Sequence, residues 1–445
     1  MNRHTRRIQQ TTLYQRINEY KNEAKKKMMQ LYQFITLVST LTCPLLTKSE
    51  ISPVLINKFE LAHPGFLTLL RTWTLNSTSW GLFISCFNAI PETTDSVYSV
   101  PNIGQQLTTQ IIPTRITSQI TWPNGIVSAD PLVEYSMIVP SGFLVPGKTN
   151  GNLYFISETT ITPLVPSDKT NWFYHDAEFK DMDGDGFIDI IAGRANVPLI
   201  GAPRTQLIWL KNPGNRTITG PWKLNYLLSD GGPEIQVQFA IVDSLQVLFA
   251  NSFFERKLQM FWSDSDPFWN DTTKLHVRHI DYEPLPYAYV QLTVDLNGDN
   301  KPDLLVTVND EFNGSLIAYE LPPSGEIRTG NFVKHILASG FKPLTQAKGR
   351  GAPGEGIAIQ FYSLAIRKKP ILILSGDDDG CVYLLEAIHD NDPSNWEYST
   401  TIIHKSEKST IGQVTVEDVD NDGYLEMFVP AYNENIVYIY RLMEK

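Results

Sequence analysis

Apolar residues along this chain come in short runs rich in Val, Ile, Leu, Phe and Tyr, separated by Gly, Asn, Asp and Pro. That pattern reads as strands and turns, and no helix-period segment of any length interrupts it. Three runs share one acidic prelude: DMDGDGFID at 181–189, DLNGDNKPD at 295–303 and DVDNDGYLE at 418–426. Weaker copies without the acids start at 237 (VQFAIVDSLQVLFANSF) and 357 (IAIQFYSLAIRKKPILILSG). A second hairpin follows, as in LVPGKTNGNLYFI at 144–156 and LILSGDDDGCVYLL at 372–385, where Asn-Gly or Asp-Gly marks the turn. A fourth strand then completes the unit: WKLNYLL, LHVRHIDY, VKHILA or STTIIH.

Aligning these copies gives seven units, at 64–110, 120–165, 172–228, 234–281, 286–338, 355–404 and 409–443. A four-stranded unit cannot bury both of its faces alone, and radial stacking around an axis does so while protecting the strand edges. The expected fold is therefore all-β, a β-propeller of four-stranded antiparallel blades, most simply seven-bladed. It forms one domain over 50–445, with a Gly/Lys/Pro-rich loop at 338–356 between blades.

The acidic preludes carry the clearest chemistry. Oxygens at positions 1, 3, 5 and 9 of a nine-residue loop converge on one hard cation if the backbone turns sharply, which Gly184, Gly186, Gly298 and Gly423 allow. The first loop offers Asp181, Asp183, Asp185, Asp189 and the Phe187 carbonyl. The second offers Asp295, Asn297, Asp299, Asp303 and the Lys301 carbonyl; the third offers Asp418, Asp420, Asp422, Glu426 and the Tyr424 carbonyl. An all-oxygen set without His or Cys predicts Ca2+, up to three ions, rather than zinc or copper. With so many protein ligands, each ion has a structural role and little open coordination for a substrate. An EF-hand does not fit, because its position 12 falls inside the apolar runs.

The formal net charge is −11, yet residues 1–30 hold eight Lys/Arg against Glu19 and Glu23, so the acidity belongs to the folded part. Such a surface repels nucleic acid and anionic lipid. Residues 1–48 read as a leader: the basic run at 25–27 is followed by the apolar LYQFITLVSTLTCPLL at 31–46, short for a membrane span. A secreted, extracellular protein is expected, with an uncleaved type II membrane anchor as the alternative. Four N-x-S/T sequons, at Asn76, Asn215, Asn270 and Asn313, agree with secretion. If cleavage follows Cys43, two cysteines remain, Cys86 and Cys381, whose pairing the sequence leaves open.

The three loops resemble the calcium loops of FG-GAP or VCBS repeats, as in the N-terminal propeller of integrin alpha subunits. LIWLKNPG at 207–214 likewise resembles the tryptophan-asparagine-proline strand end of such repeats. The resemblance implies that each loop joins the first and second strands of its blade and that positions 1, 3, 5, 7 and 9 hold the ion. Asn297 in place of an acid then makes the second site the weakest, and Glu426 in place of Asp requires a slightly wider third loop.

Beyond the loops, no Ser-His-Asp order, Cys nucleophile, phosphate loop or HExxH motif occurs. His279, His335 and His404 recur near the end of fourth strands and read as repeat-structural. Tyr174, His175, Asp176, Tyr287, Tyr289, Glu355 and Gln413 fall where first strands begin, beside the central channel, and are the candidates for a ligand face. The leading expectation is a non-catalytic interaction module for extracellular protein or matrix. The alternatives are a carbohydrate-binding lectin and a sugar lyase- or dehydratase-like enzyme.

Overall fold

The computed structural model describes residues 51–444 except 75–76, 91–92, 158–159, 169, 199, 216, 282–287 and 360–367. The leader at 1–48, Asn76 and Tyr287 lie outside the described residues, as does the side chain of Tyr289. Strands assemble into seven antiparallel sheets, and the first strands of neighbouring blades approach one another around an axis. The architecture is a seven-bladed β-propeller.

Blade 1 runs from Pro64–Thr74 through Ser77–Cys86 and Ser96–Val100 to Thr114–Thr117. Blade 2 is the smallest, with Val127–Ser128, Met137–Pro140, Leu153–Ile156 and Ile161–Pro163. In blade 3 the first strand is split into Phe173–Tyr174 and Glu178–Lys180, both paired with Asp189–Asn196; Arg204–Lys211 and Lys223–Leu228 follow. Blades 4 and 5 begin at Gln236–Val242 and Ala288–Val294, and blade 6 at Gly356–Ile359. Blade 7 has Thr415–Glu417, Leu425–Ala431 and Ile436–Glu444, and its fourth strand is Ile51–Glu60 from the other end of the chain.

The seven units read from sequence stand, but that last pairing corrects the make-up of the final one, where 409–443 reads as complete. The segment holds three strands, and the missing one pairs in register from Ile51↔Glu444 to Glu60↔Ile436. Local periodicity does not show it, because the two strands lie at opposite ends of the described chain. The pairing closes the ring and removes an open sheet edge at Ile436–Glu444. Two boundaries also move. Blade 1 extends past 110 to Thr117, and residues 338–341 belong to the strand Val333–Phe341, so the loop spans 342–355.

Seven of the buried apolar clusters each sit between two adjacent blades, one for every interface of the ring. Leu82, Ile84 and Val100 of blade 1 meet Phe428, Val437 and Ile439 of blade 7 together with Phe59 of the closing strand. Val237, Leu248 and Phe261 of blade 4 meet Met182, Ile191 and Leu207 of blade 3. Second strands are covered on both faces, which is why Asp303–Val308 and Leu425–Ala431 are buried throughout and read as unbroken apolar runs. Cys86 and Cys381 are both buried and free, in blades 1 and 6, so the ring is held by packing without a disulfide between them.

Candidate functional site

The acidic loops share one backbone design. Positions 4 and 6 have positive φ in all three: Gly184 and Gly186 at 80° and 86°, Gly298 and Asn300 at 79° and 63°, Asn421 and Gly423 at 59° and 91°. Asn therefore does the work of Gly at two positions, as its tolerance of the left-handed region permits. The position 9 carboxylate reaches back to the amide of position 2: Asp189 accepts from Met182 at 2.9 Å, Asp303 from Leu296 at 2.9 Å and Glu426 from Val419 at 3.3 Å. The position 1 carboxylate accepts from amides across the turn, Asp181 from Gly184 and Gly186, Asp295 from Gly298 and Asn300, Asp418 from Asp422 and Gly423. Asn212, from the run LIWLKNPG, locks the first loop by donating its amide to Asp189 at 2.7 Å.

These loops present their oxygens as a cation site would. Asp181, Asp183 and Asp189 each bring an oxygen within 4.8 Å of the others, and so do Asp418, Asp420 and Glu426. Asp183 Oδ1 is buried and has no hydrogen-bond partner. Burial pushes Asp189 up to about 6 and Asp303 and Glu426 up to about 7, with neighbouring loop carboxylates adding to the shift. The donor set fits a hard divalent cation. In the second loop Asn297 takes the third position, and no such three-carboxylate group forms there among the described residues.

Two basic residues next to the loops escape a reading of the loops alone. Lys211, on the third strand of blade 3, bridges Asp183 and Asp185. Arg441, on the third strand of blade 7, meets Glu426, Asp420 and Asp422 at 2.8, 3.0 and 2.9 Å. Arg441 pairs across the sheet with Glu426, and in blade 5 the residue paired with Asp303 is Glu320. Loops 1 and 3 thus carry a counter-charge from the third strand, whereas the ion pair in loop 2 is the longer one between Lys301 and Asp299 of the loop itself, at 3.8 Å. The sequence signal was there: the last basic residue of the third strand, one hairpin beyond the loop.

The opposite face is different. In an antiparallel blade the start of the first strand and the end of the second share one face, and the first turn lies on the other. Those starts and ends surround an axial recess of about 570 Å³. His175, Asp176, Glu355 and Gln413 line it. Tyr174 does not: it is 1% exposed in the core, and its hydroxyl accepts from Arg194 at 3.1 Å.

Six aromatic rings line the recess: Phe66 and Phe87 from blade 1, Trp122 and Phe143 from blade 2, Phe253 from blade 4 and Tyr432 from blade 7. Phe87, Trp122 and Phe143 form a stack with centroids 4.4 and 4.9 Å apart. Trp122 has φ 47°, an uncommon conformation for a bulky residue, and its backbone N–H donates to Asp95, which is itself paired with buried Lys148 at 2.8 Å. The sequence does not show this slab, because its members sit in turns of different blades.

The polar wall is dominated by acceptors. Burial raises Asp176 to about 8 and Glu355 to about 7, drives Asp377 well above its ordinary range, and lowers His175 to about 4. Asp377 accepts from Asn309 at 3.1 Å, and Gln413 hydrogen-bonds Glu355. Among the described residues none of these three carboxyls is ion-paired to Lys or Arg, whereas Asp378 pairs with Arg350 of the 342–355 loop at 3.0 Å. Asn124 Oδ1 and Gln413 Oε1 are buried with no hydrogen-bond partner.

Among the remaining positions, Asn215, Asn270 and Asn313 are exposed. His279, His335 and His404 all lie on fourth strands. No helix among the described residues is long and apolar enough to cross a membrane.

No family model matches the chain. No curated protein matches it either. Solved structures do resemble it. Polysaccharide lyase Uly1 is 10% identical with a TM-score of 0.41, covering 88% of this chain and 100% of that one. The PQQ-bound aldose sugar dehydrogenase from Streptomyces coelicolor is 10% identical with a TM-score of 0.36, covering 73% and 95%. Trypanosoma rangeli sialidase, solved with sialic acid, is 12% identical with a TM-score of 0.38, covering 75% and 55%. At these identities the likeness concerns the fold alone.

Proposed function

We propose that this protein is a calcium-stabilised, non-catalytic binding propeller of the extracellular space, one face braced by metal and the other presenting the axial recess to its ligand. The observation that carries this reading is the concave recess itself, large enough for a small ligand or the tip of a larger one, with aromatic rings and converging polar groups. Asp181, Asp183, Asp185, Asp189 and the Phe187 carbonyl would hold one calcium ion, with the corresponding residues of the other two loops holding up to two more. The partner is an extracellular protein, matrix component or glycan that inserts a group into the recess.

The test is binding of the mature chain to glycan and matrix-protein arrays with calcium and with chelator, alongside a Gly125→Trp variant. A Cβ at Gly125 meets only Gln413 Oε1, at 3.7 Å, so the new side chain has room to fill the recess. Binding that survives this substitution contradicts the reading.

A second reading, an enzyme acting on a sugar, draws on the same buried carboxyls. Asp176 and Glu355, held near neutrality by burial, are poised for proton transfer. Turnover of an oligosaccharide that disappears in Glu355→Gln would favour it over pure binding.

A further inference from the structure

Resting on the reading of the recess as the ligand site, we infer that the group it takes is an organic ammonium ion. Asp176 and Glu355 start the first strands of blades 3 and 6, on opposite sides of a seven-membered ring, and Asp377 follows the second strand of blade 6. Asp176 is held by the backbone amides of Ala177 and Val237, Glu355 by Gln413 and Asp377 by Asn309, all neutral donors. Lys211 and Arg441 show how this chain balances clustered acids elsewhere, with a cation placed among them. In the recess four carboxyls, Asp176, Glu355, Asp377 and Asp378, face two cations, Lys348 and Arg350, and none of Asp176, Glu355 and Asp377 is ion-paired among the described residues. Arg350 is committed to Asp378, and Lys348 stands on the exposed loop at the mouth.

The rest of the lining favours the same occupant. Asn124 Oδ1 and Gln413 Oε1 are acceptors without donors, so the ligand must bring N–H, O–H or polarised C–H groups. Asn124 is fully buried, and its Nδ2 is already spent on the carbonyls of Gly142 and Tyr174, at 3.0 and 2.7 Å, so its oxygen is fixed in orientation. Aromatic rings attract an alkylammonium through their quadrupole and cover its methylene groups. A neutral polyol could satisfy the amide oxygens, but it would gain nothing from the carboxyls' charge, whereas an ammonium ion pairs with their ionised forms and offsets the burial that disfavours them.

The experiment compares matched probes by calorimetry or saturation-transfer NMR at pH 7 with calcium present. Choline is set against its neutral isostere 3,3-dimethylbutan-1-ol, and glucosamine against N-acetylglucosamine. The cationic member should bind about tenfold more tightly in at least one pair, and which pair does so tells a quaternary headgroup from a primary amine. Glu355→Gln and Asp377→Asn should each remove most of that advantage, weakening the cationic member more than the neutral one. Equal or tighter binding of the neutral member in both pairs overturns the ammonium assignment but leaves the recess as the ligand site. Cation binding that persists in Gly125→Trp places it elsewhere and overturns both. Thermal melts of each variant confirm that the fold is retained.

Discussion

On the face that carries the acidic loops, three blades repeat one turn, one set of positive-φ positions and one hydrogen bond from position 9 to position 2. On the axial face no single motif recurs in this way: blades 1, 2 and 4 bring phenylalanines, blade 7 brings Tyr432, and blades 3 and 6 bring the carboxyls Asp176 and Glu355. Repetition serves a task every blade shares, which is turning the chain and holding the sheet. Divergence suits a task only the whole ring could perform, the proposed one being to surround one ligand. The charge follows the same division in part, since Lys211 and Arg441 bridge the acids of two repeated clusters, whereas Asp176, Glu355 and Asp377 of the recess have no ion pair among the described residues.

Matched substitutions on the two faces give the largest expected contrast. Asp189→Ala should cost about 3 kcal/mol, because it strips two buried amides, those of Met182 and Asn212, of their acceptor. Glu355→Gln on the other face should change stability by less than about 1 kcal/mol, since it removes a buried charge that has no cationic partner. Denaturant unfolding of both variants measures the difference. Equal losses would erase the distinction between a structural and a binding face.

Acidity sharpens the comparison next. A carboxyl whose folded pKa lies above its unfolded value binds more protons in the folded state between the two, so stability falls as pH rises through that window. Asp176 and Glu234, raised to about 8, and Glu355 and Glu426, raised to about 7, all act in this sense. His175, lowered to about 4, acts oppositely but only below about 6.5. The ligand-free protein without calcium should therefore melt lower at pH 8 than at pH 6.5. Calcium should flatten the share due to Glu426, and a recess cation the share due to Asp176 and Glu355.

Smaller effects separate the loops. Lys211→Met removes the resident cation from loop 1 and should tighten calcium there by roughly tenfold, read as a shift in a calcium titration, with Arg441→Met doing the same at loop 3. The smallest effect expected is on stability in Gly125→Trp, whose melting temperature should stay within about 2 °C of the parent while recess binding is lost.

Much of this was legible in the sequence, for reasons the structure makes plain. The acidic loops set the repeat phase because their geometry needs fixed residues at fixed spacing, and the seven units follow from it. Ile51–Glu60 was not legible as the closing strand, since its partner is at the far end of the chain. Lys211 and Arg441 show in the sequence only as the last basic residues of third strands, and that they reach the loops follows from sheet register. His175, Asp176, Glu355 and Gln413 could be placed beside the axis because they start first strands. The aromatic slab could not, because Phe87, Trp122 and Phe143 come together only when blades 1 and 2 pack.

The proposed division of labour between the faces requires calcium to brace the loops, and melting with calcium or with chelator tests that most directly. At tenfold saturation three sites contribute about 4 kcal/mol, which for a domain of this size raises the melting temperature by roughly 5 °C. The account predicts that rise in the parent chain and its reduction in Asp183→Asn and Asp420→Asn. A melting temperature unchanged between calcium and chelator would contradict it.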